Sequence, residues 1–532
     1  MLYRFLIITI LLLSIVMMGL PQNALAACSI LTSSGLAAIK TADALGVLLF
    51  SDVACPKDVF LFRQLLKKSG LKLETTMVAN RGFHNPAQGS FSIFEIVSGQ
   101  LTSGNNTFII KTGDFFFGHF TTVNSRGYLA ADQNPEKSSL MIEAFAWDPK
   151  KEVFNFYELR GNGKQGQWFY RGDSVDIFTD NEFLHRQSDP KHPQFGNQLR
   201  CSACHDAGGP IMKELNQPHN DWWEPERKLD FGRRLLDASL REILETLVPS
   251  DRLAKSVLLG IKKLNRSNAL FREKKSISLQ EQLRPLFCPM ELNFMSDITP
   301  NDEKKSRIII PTDFFVDSRF LYSNSKKRII ISRNDYELAL DAVGSVFPET
   351  NLKDADHAWL TPVKAISDKL AVNNLIKRGV IDKKFMMDVL DIDRTNPVFS
   401  TARCGLLRFI PNTTISSNWR DVFIKNLSQS QDLAAKQLVE NLTNPHQNVA
   451  FYKQKAEIFL NQCSAKLNNR YSVEKMYRLL AQRRAEIRSS EISLNPRGQI
   501  LEPGFRVIFP ESAVSPIPGL LKLTSTCDVI ED

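Results

Sequence analysis

The sequence predicts an α+β protein with an antiparallel β-rich N-terminal unit, a central helical segment and a predominantly helical C-terminal region. Two observations support this prediction. Between residues 90 and 180, short β-branched and aromatic runs alternate with Gly, Asn and Asp-Pro turns, which is typical of antiparallel strands. Apolar residues recur at helical spacing before this stretch, after residue 229 and again between residues 361 and 490.

Composition describes an ordinary globular protein. The chain has 532 residues, of which 43% are hydrophobic and 23% charged, and no low-complexity tract interrupts it. This length predicts roughly three or four compact units. The net charge of +9 is spread along the chain and is densest near residues 474–488. No nucleic-acid-binding motif accompanies the charge, so we expect no nucleic-acid partner.

The N-terminus predicts a signal peptide over residues 1–27. Arg4 supplies a positive charge, an apolar run extends from Phe5 to Leu20, and Ala24 and Ala26 provide the small residues of a cleavage site. A transmembrane anchor is the weaker alternative, because the run falls short of the roughly 20 residues that span a bilayer. We therefore expect the periplasm or the cell envelope.

A second interpretation of the same region concerns Cys28. The sequence Leu25-Ala26-Ala27-Cys28 resembles a bacterial lipobox, which predicts a lipid on Cys28 and membrane association through that lipid only. Cleavage after Ala26 would instead leave Cys28 as an ordinary thiol.

The number of cysteines is compatible with both a lipid and an ordinary thiol at Cys28. Setting one closely spaced pair aside leaves six cysteines, enough for three disulfides in an oxidising compartment, or five if Cys28 carries lipid. The sequence does not predict how they pair. The six are Cys28, Cys55, Cys288, Cys404, Cys463 and Cys527.

Residues 28–190 are predicted to form a helical lead-in, over residues 29–75, followed by the β-rich domain. The strand near residue 155 carries apolar side chains on both faces, so we expect both faces to be covered. One face holds Val153, Asn155, Tyr157 and Leu159, and the other holds Phe154, Phe156 and Glu158.

Residues 301–532 are predicted to form a mixed, then mainly helical, C-terminal domain. Two similar pieces within residues 307–340 indicate either paired strands or a degenerate duplication. Asn-Pro pairs farther along the chain predict helix ends.

One motif carries specific chemistry. The stretch LRCSACHDAGGPIMKEL, residues 199–215, contains Cys201, Cys204 and His205 as Cys-x-x-Cys-His. With 8 Cys and 8 His in 532 residues, chance predicts about 0.002 such motifs per chain. Covalent haem attachment requires this order, because two thiols three positions apart meet the two vinyl groups and the next His reaches the iron.

Two other chemistries use similar residues. A structural zinc site needs four ligands, and the nearby His185, His192 and His219 form no second ligand pair at close spacing. A thioredoxin-like dithiol belongs in a βαβ context and does not require the histidine. The motif therefore favours haem over zinc or redox thiols.

With these residues in place, the sequence resembles the c-type cytochromes. More narrowly, residues 199–223 are similar to large exported bacterial mono-haem proteins in which a single Cys-x-x-Cys-His precedes Gly-Gly-Pro. The resemblance implies one haem c within a binding region at residues 191–300, with Cys201 and Cys204 forming the thioethers and His205 as the proximal iron ligand. It also implies a Pro carbonyl as acceptor for the His ring, although the spacing of Pro210 departs from that pattern.

The opposite side of the iron decides between electron transfer and catalysis. Met212 and His219 are the candidate distal ligands within the motif region, and Met290 and Met295 are more remote alternatives. An open position would instead permit peroxide or dioxygen chemistry.

The leading hypothesis is an exported mono-haem c-type cytochrome that transfers single electrons to redox partner proteins of the bacterial envelope. A haem-dependent oxidoreductase of peroxidase or oxygenase type is the alternative, and whether the protein is an enzyme stays open. A third hypothesis is a non-redox envelope lipoprotein with a structural haem or metal. The acid and base candidates near the motif are His185, His192, Glu214 and Asp221.

Overall fold

The computed structural model describes most of the chain after residue 27. The described residues are 28–179, 201, 205, 207–210, 233–493 and 519–531; within these ranges they exclude 33–34, 37–40, 52–53, 80–90, 105, 124–125, 132–139, 162, 234, 268, 272–276, 289–291, 296–305, 323–327, 345, 348–351, 354–360, 399 and 412–417. The predicted signal peptide, residues 1–27, lies outside them.

A ten-stranded sheet dominates the described N-terminal half. Its strands are β1 (Ile30–Thr32), β2 (Gly35–Leu36), β3 (Leu71–Ala79), β4 (Phe91–Ser103), β5 (Asn106–Val123), β6 (Tyr128–Ala131), β7 (Leu140–Asp148), β8 (Val153–Gly161), β9 (Gly166–Asp173) and β10 (Leu235–Leu236).

Strands β3 to β9 pair antiparallel in the manner of a meander, with β5 long enough to pair with β4, β6 and β7. Two short strands join in parallel, β1 beside β9 and β10 beside β6. The turn between β7 and β8 is set by Asp148, whose Oδ1 accepts from the backbone N–H groups of Lys150 (2.9 Å) and Lys151 (3.1 Å). The predicted antiparallel β-rich unit is confirmed.

Strand β8 is buried along its whole length, as its two apolar faces predict. Phe154 and Phe156 belong to one hydrophobic core, and Tyr157 and Leu159 belong to another on the opposite side of the sheet. Helices cover both sides, so the sheet is the middle layer of three.

Fourteen α-helices occur in the described part of the chain. They are α1 (Ala44–Leu49), α2 (Val59–Lys68), α3 (Ser174–Thr179), α4 (Ala238–Glu245), α5 (Asp251–Ser267), α6 (Leu279–Phe287), α7 (Arg333–Val343), α8 (Ile366–Lys377), α9 (Lys383–Leu390), α10 (Thr401–Gly405), α11 (Trp419–Ser428), α12 (Leu433–Thr443), α13 (Val449–Lys466) and α14 (Arg470–Ser493).

The helical lead-in contains α1 and α2, together with strands β1 and β2 that the helical pattern did not predict. Asp43 and Asp58 cap the two helices through their side chains. On α2, Phe62 packs against Phe117 and Trp168 with ring centroids 4.9 and 5.2 Å apart, which fixes the helix on one face of the sheet.

The C-terminal half is mainly helical, as predicted, with seven helices from α8 to α14 in its described residues. The two similar pieces near residue 320 are paired strands, β12 (Arg307–Ile310) and β13 (Ile329–Ser332). The other strands there form three short antiparallel pairs. These are β11 (Leu292–Met295) with β16 (Thr361–Lys364), β14 (Val346–Phe347) with β15 (Leu352–Lys353), and β17 (Leu521–Leu523) with β18 (Val529–Glu531).

Two of the buried cores meet near residue 278. One core runs from Met77 to Ile277 and includes Cys201, so buried residues of the predicted haem-binding region up to Ile277 pack on the sheet. A separate core runs from Leu279 to Val529.

Three disulfides join all six of the cysteines outside the Cys-x-x-Cys-His motif. The pairs are Cys28–Cys55, Cys288–Cys404 and Cys463–Cys527. The lipid predicted on Cys28 is contradicted by the first pair, because a sulfur already bonded to Cys55 cannot also form a thioether. In the part of the chain that the structure describes, no helix is long and apolar enough to cross a bilayer.

We predict that removing the Cys288–Cys404 bond in a Cys288→Ala/Cys404→Ala variant lowers the free energy of unfolding by about 2–5 kcal/mol, because the bond restricts the unfolded chain. The two residues are separated by 116 positions, against 27 for Cys28 and Cys55. A Cys28→Ala/Cys55→Ala variant should lose about 1 kcal/mol less on loop length alone. Denaturant titration measures both losses, and unchanged stability of the first variant would contradict the pairing.

Candidate functional site

Cys201 and His205 lie on a single turn of backbone. The His205 N–H donates to the Cys201 carbonyl at 2.9 Å, the spacing of one α-helical turn, and both side chains are buried. The Gly208 N–H then donates to the His205 carbonyl at 2.7 Å, so the chain keeps turning after the histidine. Cys204 lies outside the described residues.

The Gly-Gly-Pro sequence fits this turn closely against its neighbours. Gly208 has φ +71°, and a β-carbon there would lie 2.4 Å from the Ser174 carbonyl oxygen at the start of α3. Pro210 packs on α5 at Gly260, where a β-carbon would come within 3.0 Å of the proline ring. The turn therefore needs glycine at position 208, and it packs tightly between α3 and α5.

The imidazole of His205 is oriented by a backbone hydrogen bond. Its Nδ1 lies 2.8 Å from the Gly209 carbonyl oxygen. A carbonyl oxygen can only accept, so Nδ1 carries a proton and donates it. The acceptor that the resemblance implied at Pro210 is thus supplied by the preceding residue, since the turn points the Gly209 carbonyl at the ring.

The other ring nitrogen faces a carboxylate. Nε2 of His205 lies 3.1 Å from Oε1 of Glu143, whose side chain is 19% exposed. Since Nδ1 is already committed as a donor, Nε2 is the position left for a metal or for proton exchange with Glu143. The sequence analysis did not identify Glu143, although it is a lone carboxylate within the apolar strand LMIEAFAW.

Two phenylalanines form an aromatic wall beside the histidine. Phe145 on β7 and Phe156 on β8 are direct cross-strand partners, and their ring centroids lie 5.4 and 5.3 Å from that of His205. Glu143 is two residues before Phe145 on β7 and therefore points to the same face. The sheet thus positions an apolar wall and one carboxylate around the ring.

The charge of Glu143 has a close carboxylate neighbour. Glu158 is its cross-strand partner, and like charges directly opposite one another destabilise a sheet. Arg171 relieves this repulsion by donating from Nε to Glu158 at 2.7 Å, with both side chains buried.

A second buried histidine has a different environment. Nε2 of His119 lies 3.3 Å from Oε1 of Glu95, whose carboxylate also accepts from Thr75 at 2.8 Å and pairs with Arg63. Burial lowers the pKa of His119 well below its usual value, and the Arg63 charge acts in the same direction. Buried within this network of strand side chains, His119 fits a structural role.

The predicted distal ligands are not placed. Met212, His219 and Met290 lie outside the described residues, and Met295 is described only as backbone in β11. Among the described residues, no group of three or more His, Cys, Asp or Glu side chains could hold a metal ion. The distal ligand therefore stays a prediction.

Three features of the described residues are those that the proximal side of a c-type haem would need. The Nδ1–H bond to Gly209 orients the ring, the Cys201 thiol precedes the histidine by four residues, and Phe145 and Phe156 supply an apolar boundary. For an iron to bind Nε2, the partly exposed side chain of Glu143 would have to turn away from it.

No protein-family model, curated protein or solved structure matches this chain. The functional argument therefore depends on the motif and on the geometry of its residues.

We predict that Gly208→Ala destabilises the fold more than Gly127→Ala does. Both glycines are left-handed, with φ of +71° and +78°, but only Gly208 has a backbone oxygen 2.4 Å from the added β-carbon, whereas Gly127 has open space. The clash should add about 1–3 kcal/mol to the conformational cost common to both variants. Chemical denaturation compares the two, and equal losses would show that the turn is not wedged.

Proposed function

We propose that the chain is an exported mono-haem c-type cytochrome that binds one haem covalently and transfers single electrons. Cys201 and Cys204 would form the thioethers, and His205 would be the proximal iron ligand. The single observation that carries this proposal is the orientation of His205, the histidine of the Cys-x-x-Cys-His sequence, whose Nδ1 donates to the Gly209 carbonyl at 2.8 Å, so that Nε2 is the nitrogen that would bind the iron.

When bound, a haem c supplies an iron centre that changes its charge by one unit on reduction. The protein's own contribution starts with the Gly209 carbonyl, which fixes the ring and increases the basicity of Nε2. Phe145 and Phe156 exclude water from one side of the imidazole and keep the surroundings apolar. A rigid, apolar environment suits electron transfer, because little has to rearrange when the charge changes.

Glu143 gives this environment an electrostatic bias. Its carboxylate lies on β7 beside the histidine, and its partial exposure gives it room to turn towards solvent when Nε2 is occupied. A negative charge a few ångströms from a metal ligand stabilises the more positive oxidation state. Glu143 should therefore favour the oxidised form.

Three disulfides support the proposed location. Such bonds persist in oxidising compartments, and this agrees with the signal peptide expected over residues 1–27. We propose the periplasm or the cell envelope, with redox proteins of the envelope as partners. A lipid on Cys28 is no part of this proposal, because Cys28 is bonded to Cys55.

The test of haem attachment is expression of the full chain in a bacterial host that carries c-type haem maturation. We predict that the protein keeps its haem absorbance after acid-acetone extraction, and that a Cys201→Ala/Cys204→Ala variant loses it because both thioethers are missing. His446→Ala, at an exposed position outside the motif, is the control and should load fully. Absence of haem from the wild-type protein, while a known cytochrome loads in the same cells, would refute the proposal.

The same preparation separates a carrier from a catalyst. We expect the reduced spectrum to change little with carbon monoxide, because an electron carrier keeps both axial positions filled. A large spectral change would show an open position and would reassign the protein to the haem-dependent oxidoreductases.

We further predict that Glu143→Gln raises the midpoint potential by several tens of millivolts, since one negative charge near His205 is removed. Glu245→Gln removes an exposed charge on α4 and is the matched control, with a much smaller effect expected. Spectroelectrochemical titration measures both potentials. Equal shifts in the two variants would show that Glu143 is not close to the haem.

A further inference from the structure

A succession of packed aromatic rings leads from His205 to the surface. Phe145 lies against His205 with ring centroids 5.4 Å apart, and the centroid of the Phe154 ring is 5.8 Å from that of Phe145. The next ring is that of Trp147, 5.2 Å from Phe154. Phe145 and Phe154 are buried, whereas Trp147 is half-buried. The rings therefore connect the candidate site with a position that solvent reaches.

Helix α5 lies beside both ends of this succession. At its Gly260, a β-carbon would come within 3.0 Å of the Pro210 ring and 3.3 Å of the Phe154 ring, so the helix backbone packs on the Gly-Gly-Pro turn. At Lys263, Nζ lies 4.6 Å from the centroid of the Trp147 ring. The same helix thus covers the candidate site and borders the surface where Trp147 is accessible.

The outer face of α5 carries a row of exposed side chains. Steps of three and four residues place the members in one line along the helix, about 21 Å long at the rise of an α-helix. We call this row the basic stripe, and it consists of Arg252, Lys255, Leu259, Lys262 and Arg266. Leu259, at its centre, is 45% exposed. The stripe therefore combines one apolar side chain with cations on both sides of it.

Carboxylates compensate the cations at one end of the basic stripe only. The pairs there are Arg252 with Glu74 at 2.6 Å and Lys255 with Asp251 at 2.5 Å. In the part of the chain that the structure describes, Lys262 and Arg266 form no ion pair. The adjacent Lys263 is held by Asp114. Cations without a paired carboxylate thus lie at the C-terminal end of α5, next to the lysine that contacts the Trp147 ring.

We infer that this end of the basic stripe, together with Trp147, is the surface on which a redox partner protein with an acidic face docks; the inference rests on the proposed function. Carboxylates of the partner would pair with Lys262 and Arg266, and Leu259 would supply the apolar contact that an interface core requires. Trp147 then lies at the edge of the interface, where packed rings lead to His205. Electron transfer favours such a path, because its rate falls steeply with distance and with gaps in packing.

The test uses the haem-loaded full-length protein and two inorganic oxidants of opposite charge, ferricyanide and tris(phenanthroline)cobalt(III). One electron passes from the reduced haem to the oxidant, and stopped-flow absorbance gives the rate. At low ionic strength, we expect Lys262→Glu/Arg266→Glu to react with ferricyanide at least about tenfold more slowly than the wild-type protein, because the charge of the docking surface has changed sign. Its reaction with the cobalt complex should be faster, and high salt should remove both differences.

Lys425→Glu/Lys436→Glu is the matched control, since it makes the same change in net charge at two exposed lysines on α11 and α12. Its rates should stay close to those of the wild-type protein. Equal rate changes in the two double variants would overturn the inference, because net charge alone would explain them. Haem content is measured first: a wild-type protein without haem refutes the proposed function, whereas loaded variants with unchanged rates overturn the docking surface alone.

The succession of rings is tested with Trp147→Leu, which removes the accessible ring, and with Trp147→Phe, which keeps one in its place. We expect the leucine variant to react more slowly than the phenylalanine variant with both oxidants, at equal haem content and midpoint potential. Equal rates in the two variants would overturn the assignment of Trp147 to the docking surface.

An anionic membrane surface is the other kind of partner for exposed cations, but its attraction depends on the number of unpaired cations near it. Only Lys262 and Arg266 meet that condition in the basic stripe. Co-sedimentation with phosphatidylglycerol vesicles separates the two partners. We expect equal, weak binding by the wild-type protein and by Lys262→Glu/Arg266→Glu. Strong wild-type binding that the variant loses would assign the stripe to a membrane and overturn the inference.

Discussion

Burial of strands β7 and β8 on both faces is the constraint from which the rest of the N-terminal half follows. A sheet with aromatic side chains on each side needs two covering layers, and the chain supplies them from regions far apart in sequence. Helix α2 covers the face that contains Phe117 and Trp168. Helix α5 and the turn after His205 cover the face of Phe154 and Phe156. The candidate site is thus part of the covering layer.

This arrangement explains how the site is held against the sheet. The Gly208 backbone fits against Ser174, and the Gly209 carbonyl then has one direction in which to point, towards the imidazole. Glu143 reaches the other side of the same ring from β7. A histidine held between a backbone carbonyl and a strand carboxylate has its ring plane fixed by groups that belong to different layers.

Much of the fold follows from local pattern. The alternation in β8 predicts its two-sided burial, and the helical spacing after residue 361 predicts helices α8 to α14. Strand β1 was missed because three residues are too few to show a period, and its place is set by pairing with Trp168 and Phe169 on β9. Local pattern fails where partners distant in sequence decide the structure.

The same distinction applies to the site. Cys201, Cys204 and His205 can be identified because their spacing is itself the signal. Glu143 cannot be identified in this way, because it lies 62 residues before His205 and only the folded sheet brings the two side chains together. The hydrogen bond from Nδ1 also depends on where the Gly209 carbonyl points. The positive φ of Gly208 sets that direction. Spacing alone does not contain that information.

The disulfide pattern has a consequence for how the chain acquires its bonds. Once Cys201 and Cys204 are set aside, each bond joins a cysteine to the next one along the chain: Cys28 to Cys55, Cys288 to Cys404, and Cys463 to Cys527. If the chain emerges N-terminus first, the second cysteine of each pair is the next of these six to appear after the first. Oxidation in order of emergence then gives the native set without reshuffling, provided that the thiols of the motif are withheld from it. Any process that modifies the thiols of Cys201 and Cys204 early therefore also prevents them from forming wrong disulfides with the other six cysteines.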